Sequence, residues 1–215
     1  IDTRVLMDAS EKDQWFRPSD LNVAPDGSVF VADWYDVGVG GHAMFDLEKG
    51  RIYRLAPKGN RKYTIPKYDF TSVESSIEAL KNPSNSVRYL AYRSLLKKAP
   101  EAELYKMTRH ENPVFAARAM WLLSQLNQTY LDEFSTHKDE NIRAATVRMA
   151  KKSDNSSFFI KMSKDPSFQV KQAVATAINP TNNPEAWVNL ANAYKAEDRW
   201  FLEALGIGAY YHWDD

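Results

Sequence analysis

The chain contains no cysteine. That excludes disulfides, thiolate zinc sites, cysteine nucleophiles and covalent attachment of a c-type haem within it, but does not fix its compartment. It also has no net charge, with 28 basic against 28 acidic side chains. The balance is local: 10 basic and 11 acidic residues lie up to Phe70, leaving 18 and 17 beyond. Nucleic-acid binding rests on clustered Lys and Arg that neutralise phosphates, so no nucleic-acid partner is expected. No run approaches the roughly 20 apolar residues that a membrane-spanning helix needs. The opening Ile1-Asp2-Thr3-Arg4 has neither a starting Met nor the charged-then-apolar pattern of a signal peptide, and the chain reads as a piece of a longer protein. Glycine is absent from Asn60 to Leu205, because six of the eight glycines lie at or before Gly59.

With 215 residues, 44% of them apolar and 13% aromatic, the chain can bury a core. The glycine boundary coincides with a change of pattern. Before it, Ser19–Ala24 and Ser28–Trp34 flank Pro25-Asp26-Gly27, a turn triplet whose glycine accepts positive φ, and the whole predicts a β-hairpin. Arg51–Ala56 alternates like a third strand, and Arg4–Asp8 is a candidate fourth. Residues 1–66 are therefore expected to form a small antiparallel sheet. Beyond Pro66 the apolar period lengthens to between three and four. Thr71 and Glu74 have the spacing of a capping box, with Ile77 and Leu80 on the following apolar face.

Residues 67–215 repeat. Placing Arg88, Arg118, Arg143, Lys171 and Leu202 in one column gives offsets of 30, 25, 28 and 31. The residue before the column is always apolar (Val87, Ala117, Ile142, Val170, Phe201), and so is the second after it. Asn82-Pro83, Asn112-Pro113 and Asp165-Pro166 precede the column by six and five residues, which is the chemistry of a helix start: a side-chain acceptor, then a Pro with no N–H to satisfy. His137-Lys138 and Ala196-Glu197 break that pattern. The segments 101–108, 129–135, 156–163 and 184–194 supply partner helices, so each unit is a helix pair.

These repeats resemble HEAT repeats, in which an Asp commonly precedes an Arg or Lys of the second helix by six residues. Asp165 with Lys171 fits fully, and Asn82 with Arg88 and Asn112 with Arg118 fit with an amide in place of the acid. The resemblance, to the short bacterial form, implies a mainly α fold: an α-solenoid of four to five helix pairs preceded by the small sheet. Arg88, Arg118, Arg143, Asp165 and Lys171 then read as a ladder tying neighbouring repeats rather than as a binding ridge. Trp121, Trp187 and Trp200 are expected in the core. Tyr210-Tyr211-His212-Trp213 reads as a cut edge, and His110 and His137 as turn or cap residues.

Trp15-Phe-Arg-Pro18, Pro25-Asp-Gly27, Phe30-Val-Ala-Asp-Trp-Tyr-Asp36, Gly40-Gly-His42 and Gly50-Arg-Ile-Tyr-Arg54 together resemble the closing blade of a β-propeller of the sugar-dehydrogenase-like type. That type occurs in large secreted bacterial proteins, especially of Planctomycetes and Bacteroidetes, whose propeller leads into HEAT-like repeats and then a CxxCH haem domain. The resemblance implies an extracytoplasmic location, and a parent protein that uses haem c and a quinone or Ca²⁺. No cofactor is expected in this chain itself. Arg17, Asp33, Asp36 and His42 match the family's recurring polar positions and on that resemblance face a pocket or a cation in the parent. Read from the residues alone, Asp33 and Asp36 instead satisfy backbone N–H groups of the glycine loop, and His42 is an ordinary loop residue. One blade cannot enclose a propeller's central pocket.

The resulting expectation is a non-catalytic scaffold that links a propeller to an electron-transfer domain and meets other domains of the parent chain, a protein or a polysaccharide. A HEAT-like DNA glycosylase or DNA-binding protein is one alternative. A carbohydrate- or calcium-binding fragment of a quinoprotein-like dehydrogenase is the other.

Overall fold

A computed structural model describes residues 3–9, 11–13, 15–35, 48–60, 62–150, 155–179, 181–195 and 198–212. Asp36, His42 and Trp213 lie outside these. Among the described residues the chain is mainly α, with ten helices and one three-stranded antiparallel sheet. It divides into two compact units, Ile1–Ser94 and Leu95–Asp215.

In the first unit the sheet runs in the order β1 (Pro18–Val23), β2 (Val29–Asp33), β3 (Arg51–Leu55). Leu21 faces Val31 and Val31 faces Tyr53 across the two ladders. Gly27 closes the hairpin with φ +84°, a conformation that costs glycine nothing and most other residues strain. The Asp26 carboxylate accepts the Ser28 N–H (3.0 Å) and hydroxyl (2.6 Å), and Arg54 from β3 bonds it at 2.9 Å, so one buried acid ties the turn to the third strand. The expected strand at Arg4–Asp8 does not form. Val5 and Leu6 are 79% and 75% exposed, and with nothing buried there is no gain to offset the entropy of ordering the segment.

α1 (Val73–Leu80) starts one residue later than the capping-box spacing suggests. Ser72, not Thr71, accepts from the Ser75 N–H (3.2 Å) and donates to Glu74 (2.8 Å), whereas Thr71 is turned to Asp69. α2 (Asn85–Lys98) carries the chain across the division. Between α1 and α2, Asn82 donates to the Pro25 carbonyl and to the Tyr68 hydroxyl, both at 2.9 Å. That link to the hairpin turn joins the first helix pair to the sheet. The compact division falls at Ser94, well past the change of apolar period at residue 66.

The second unit holds α3 (Glu101–Met107), α4 (Pro113–Leu126), α5 (Tyr130–Phe134), α6 (Glu140–Ala150), α7 (Ser156–Met162), α8 (Phe168–Ala177), α9 (Pro184–Ala193) and α10 (Arg199–Ala209). All four expected partner segments are helical, and every residue of the basic column lies on the second helix of a pair. α4 packs on α6, α6 on α8 and α8 on α10, while α7 packs on α9. Phe159, Phe201, Leu104, Leu122, Leu123 and Leu190 are among its fully buried side chains. Trp121 and Trp200 are corrections to the expected core, being 41% and 77% exposed; Trp187 is half-buried and donates its indole N–H to the Leu205 carbonyl at 3.0 Å.

Candidate functional site

Of the four residues singled out near the sheet, Arg17 and Asp33 can be placed. Asp33 ends β2 with its side chain fully buried. Its Oδ1 accepts the Arg17 backbone N–H at 2.6 Å, and its Oδ2 accepts Arg51 Nε at 2.8 Å. Arg51 reaches Asp13 as well. The Trp34 N–H donates back to the Arg17 carbonyl at 2.9 Å, so Arg17 enters this arrangement through its backbone. Among the described residues, the backbone N–H that Asp33 satisfies is that of Arg17; the glycine loop lies outside them. With a guanidinium already on the carboxylate, its negative charge is balanced inside the sheet. A shallow depression of about 210 Å³ beside it is lined by Ser19, Ala32, Trp34 and Ile52 among others.

In the helical part the polar chemistry is concentrated in the turns between the two helices of each pair. Asn82 Oδ1 accepts the N–H of Ser84 (2.8 Å), His110 Nδ1 that of Asn112 (3.0 Å), His137 Nδ1 that of Asp139 (3.0 Å), and Asp165 Oδ1 that of Ser167 (2.8 Å). Each of these four residues sits three before the start of its second helix, at Asn85, Pro113, Glu140 and Phe168. They are one structural position, spaced by 28, 27 and 28 residues. An amide, an imidazole or a carboxylate fills it equally, because all that is required is an acceptor for the N–H two residues on.

The rest of the pair follows the same count. Six and three residues before the turn acceptor lie buried Ser76 and Ala79, Leu104 and Met107, Leu131 and Phe134, Phe159 and Met162. Nine and thirteen after it lie buried Ala91 and Leu95, Ala119 and Leu123, Thr146 and Ala150, Val174 and Ile178. Two before it, Thr108, Ser135 and Ser163 each return a hydroxyl hydrogen bond to the carbonyl three residues earlier.

This numbering corrects the basic column. The position six after the turn acceptor is Arg88, Ala116, Arg143 and Lys171. Arg118 stands two residues beyond it and stacks on Phe115 at 5.3 Å. In sequence it aligns with the column because Asn112-Pro113 resembles Asn82-Pro83. In α4, however, Asn112 is itself the N-cap, accepting from Val114, and His110 is the turn acceptor. The same shift puts Trp121 on an outward position, equivalent to exposed Arg148.

Arg88 Nη1 donates to the carbonyls of its own turn, Asn82 (2.9 Å) and Pro83. Arg143 does the same to His137 (2.9 Å) and Lys138 (3.2 Å) and then reaches the following turn, where its Nε and Nη2 take the two oxygens of Asp165 at 2.8 and 2.9 Å. Burial alone would push the Asp165 carboxyl up; the Arg143 hydrogen bonds, the Ser167 N–H and the charges of Arg143 and Lys171 outweigh it and hold it below the ordinary value. Lys171 lies over the Phe168 ring at 5.1 Å. The ladder expected from the sequence thus has one rung, from Arg143 to Asp165, that joins consecutive turns through described side chains. Lys161 Nζ on Ser135 Oγ (2.9 Å) and Asn189 Nδ2 on Ser163 Oγ (3.1 Å) tie the first helices in a similar way.

Residues 9–59, roughly a quarter of the chain, match a family described as a domain of unknown function (DUF7133). The matched stretch contains all three strands and ends before α1. A search of curated proteins finds no match to the chain.

His110 and His137 hold the turn roles expected of them; what sequence reasoning missed is that His110 is the counterpart of Asn82 and Asp165, and that Ala116 is therefore the odd member of the basic position. The signal was present in the first helices. Aligning Met107, Phe134 and Met162, each followed by Thr or Ser, fixes the period at 27 and 28 and places both histidines in the turn.

Proposed function

We propose that the chain is a non-catalytic scaffold of HEAT-like repeats, part of a larger secreted bacterial protein in which it spaces a dehydrogenase-like propeller from an electron-transfer domain. The observation that carries this reading is the turn acceptor recurring every 27 or 28 residues with its buried partners, and the Arg143 to Asp165 rung between consecutive turns. Such construction spends polar side chains on holding helix pairs at fixed spacing, which is what a spacer requires. Asp33, which lines the depression beside the sheet, is likewise engaged by Arg51 and the Arg17 N–H. The propeller and haem partners, and the extracytoplasmic location, rest on the resemblance of Trp15–Arg54 to a closing blade.

The test uses the protein encoded by the full reading frame. Replacing residues 101–209 by a Gly/Ser linker of matched reach is expected to leave dye-linked dehydrogenase activity at one end and haem reducibility at the other, and to slow substrate-driven haem reduction. Unchanged haem reduction, or a reading frame with no propeller strands upstream and no CxxCH downstream, would overturn the proposal.

A further inference from the structure

A cleft of about 420 Å³ opens between the second and third turns, with His110, Glu111, Ala116, His137, Asp139 and Ile142 in its lining. One repeat further on, the corresponding gap is bridged by Arg143, whose guanidinium takes two carbonyls of its own turn and both carboxylate oxygens of the next. Where Arg143 stands in the third pair, the second has Ala116, 5% exposed, whose side chain ends at the methyl. The acceptors nevertheless recur. The carbonyls of His110 and Glu111 hold the turn positions of those of His137 and Lys138.

A carboxylate is also present on the following turn. His137 cannot supply the acceptor that Asp165 supplies later, because its Nδ1 already takes the Asp139 N–H and its proton therefore sits on Nε2. Asp139, two residues on, lines the cleft instead. Its carboxyl is held below the ordinary value by the Asn141 N–H and side-chain amide, so it is anionic at neutral pH. Of the cations nearby, Arg109 is directed to the Tyr105 ring (4.8 Å) and hydroxyl (3.0 Å), and Lys138 is exposed. Pro113, Ala116 and Ile142 give the cleft an apolar wall, against which an aliphatic stem can lie.

We propose that this cleft binds the arginine side chain of a partner protein, its guanidinium taking the carbonyls of the second turn and the Asp139 carboxylate as Arg143 does one repeat later. The inference needs only the two turns and stands or falls separately from the scaffold reading. Lysine is a poor substitute, since a compact ammonium cannot address two carbonyls and a carboxylate in one plane.

The test is amide-resolved NMR of the whole chain titrated with Nα-acetyl-arginine amide, Nα-acetyl-lysine amide and guanidinium ion. The arginine compound is expected to shift the His110, Glu111 and Asp139 amides saturably in the millimolar range, with the lysine compound and the bare ion about tenfold weaker. Ala116→Arg, which tethers a guanidinium in the cleft, should abolish the effect and raise the melting temperature. Asp139→Asn should weaken it several-fold without a change of fold. Absence of saturable shifts at these amides, equal binding of the lysine compound or the bare ion, or unchanged binding by folded Asp139→Asn would each overturn the proposal.

Discussion

Cutting the Arg143 to Asp165 rung tests whether the turns hold consecutive helix pairs together. The two side chains are only 14% and 7% exposed, so neither partner can be removed without leaving a poorly solvated group behind. Arg143→Ala removes both bonds to Asp165 and both to the turn carbonyls, leaving the carboxylate with the Ser167 N–H at 2.8 Å. Its expected cost is about 2 to 4 kcal/mol, at or somewhat below the roughly 3 to 5 kcal/mol of breaking a fully buried pair, because the carboxylate keeps that N–H. Asp165→Asn keeps an oxygen for the Ser167 N–H and loses the charge-assisted bonds, for about 1.5 to 3 kcal/mol. If the rung is one interaction, the double variant costs little more than the worse single one, a coupling of about 1.5 to 2.5 kcal/mol. Urea unfolding gives the three free energies, and amide exchange localises the loss to α6 and α8. The Asp165 carboxyl is depressed in the fold, so its contribution is complete above the ordinary carboxylate value and disappears as pH falls through the lowered one. The gap between wild type and Asp165→Asn must therefore close in acid. Losses that add to within about 0.5 kcal/mol, or a gap that persists at the lowest pH where the fold survives, would refute the rung.

Gly208→Ala should destabilise the second unit by about 1 to 3 kcal/mol, because a Cβ there would lie 2.5 Å from the Ala175 carbonyl oxygen. Gly206→Ala, two residues away with nothing within 4 Å, should be neutral or stabilising by up to about 1 kcal/mol in thermal melts; equal effects at the two positions would mean that α8 and α10 are not in close contact. Leu122→Ala should cost about 2 to 5 kcal/mol in the same assay, whereas Trp121→Gln beside it should stay within about 1 kcal/mol, and the opposite order would restore Trp121 to the core. In the sheet, the Ser28 hydroxyl, acting against burial and with the Ser28 N–H and Arg54, holds the Asp26 carboxyl at about 2, from an ordinary 3.8. Carbon-detected titration should find Asp26 ionised down to that value, and the hairpin should weaken only as pH falls below the ordinary one. A titration near 4 would place Arg54 and Ser28 elsewhere.

The strands and helices were legible because they follow from local chemistry. Pro25-Asp26-Gly27 specifies a hairpin wherever it stands between alternating segments, and the loss of glycine after Gly59 marks where the backbone becomes helical. Less legible was the helical phase. A sequence column built on Arg and on Asn-Pro pairs treats two chemically similar positions as one, and Asn112 can cap a helix directly or sit three residues ahead of it. Only the buried faces distinguish these, since a shift of two residues turns a helix by more than half a revolution and would drive Trp121 inward. The Asp33 environment was hidden for a different reason. Its partners, Arg17 and Arg51, lie 16 and 18 residues away in sequence, and nothing local announces them.

Why the turn position tolerates three chemistries, while the position six beyond it changes the surface, follows from what each must do. The turn acceptor answers to one backbone N–H within its own loop, so any short side chain with an in-plane lone pair suffices. The local bond is retained whether the residue is Asn82, His110, His137 or Asp165. The choice still has consequences one repeat back. A carboxylate has a second oxygen with which to receive a guanidinium, so Arg143 finds a full partner in Asp165, whereas an arginine in place of Ala116 would meet, in the equivalent seat, an imidazole whose Nδ1 is already taken by the Asp139 N–H. Ala116 and His137 are thus matched: each removes half of the rung that Arg143 and Asp165 complete. The space they leave, still edged by turn carbonyls and by Asp139, is where a repeat otherwise devoted to its own cohesion presents bonding capacity to another molecule.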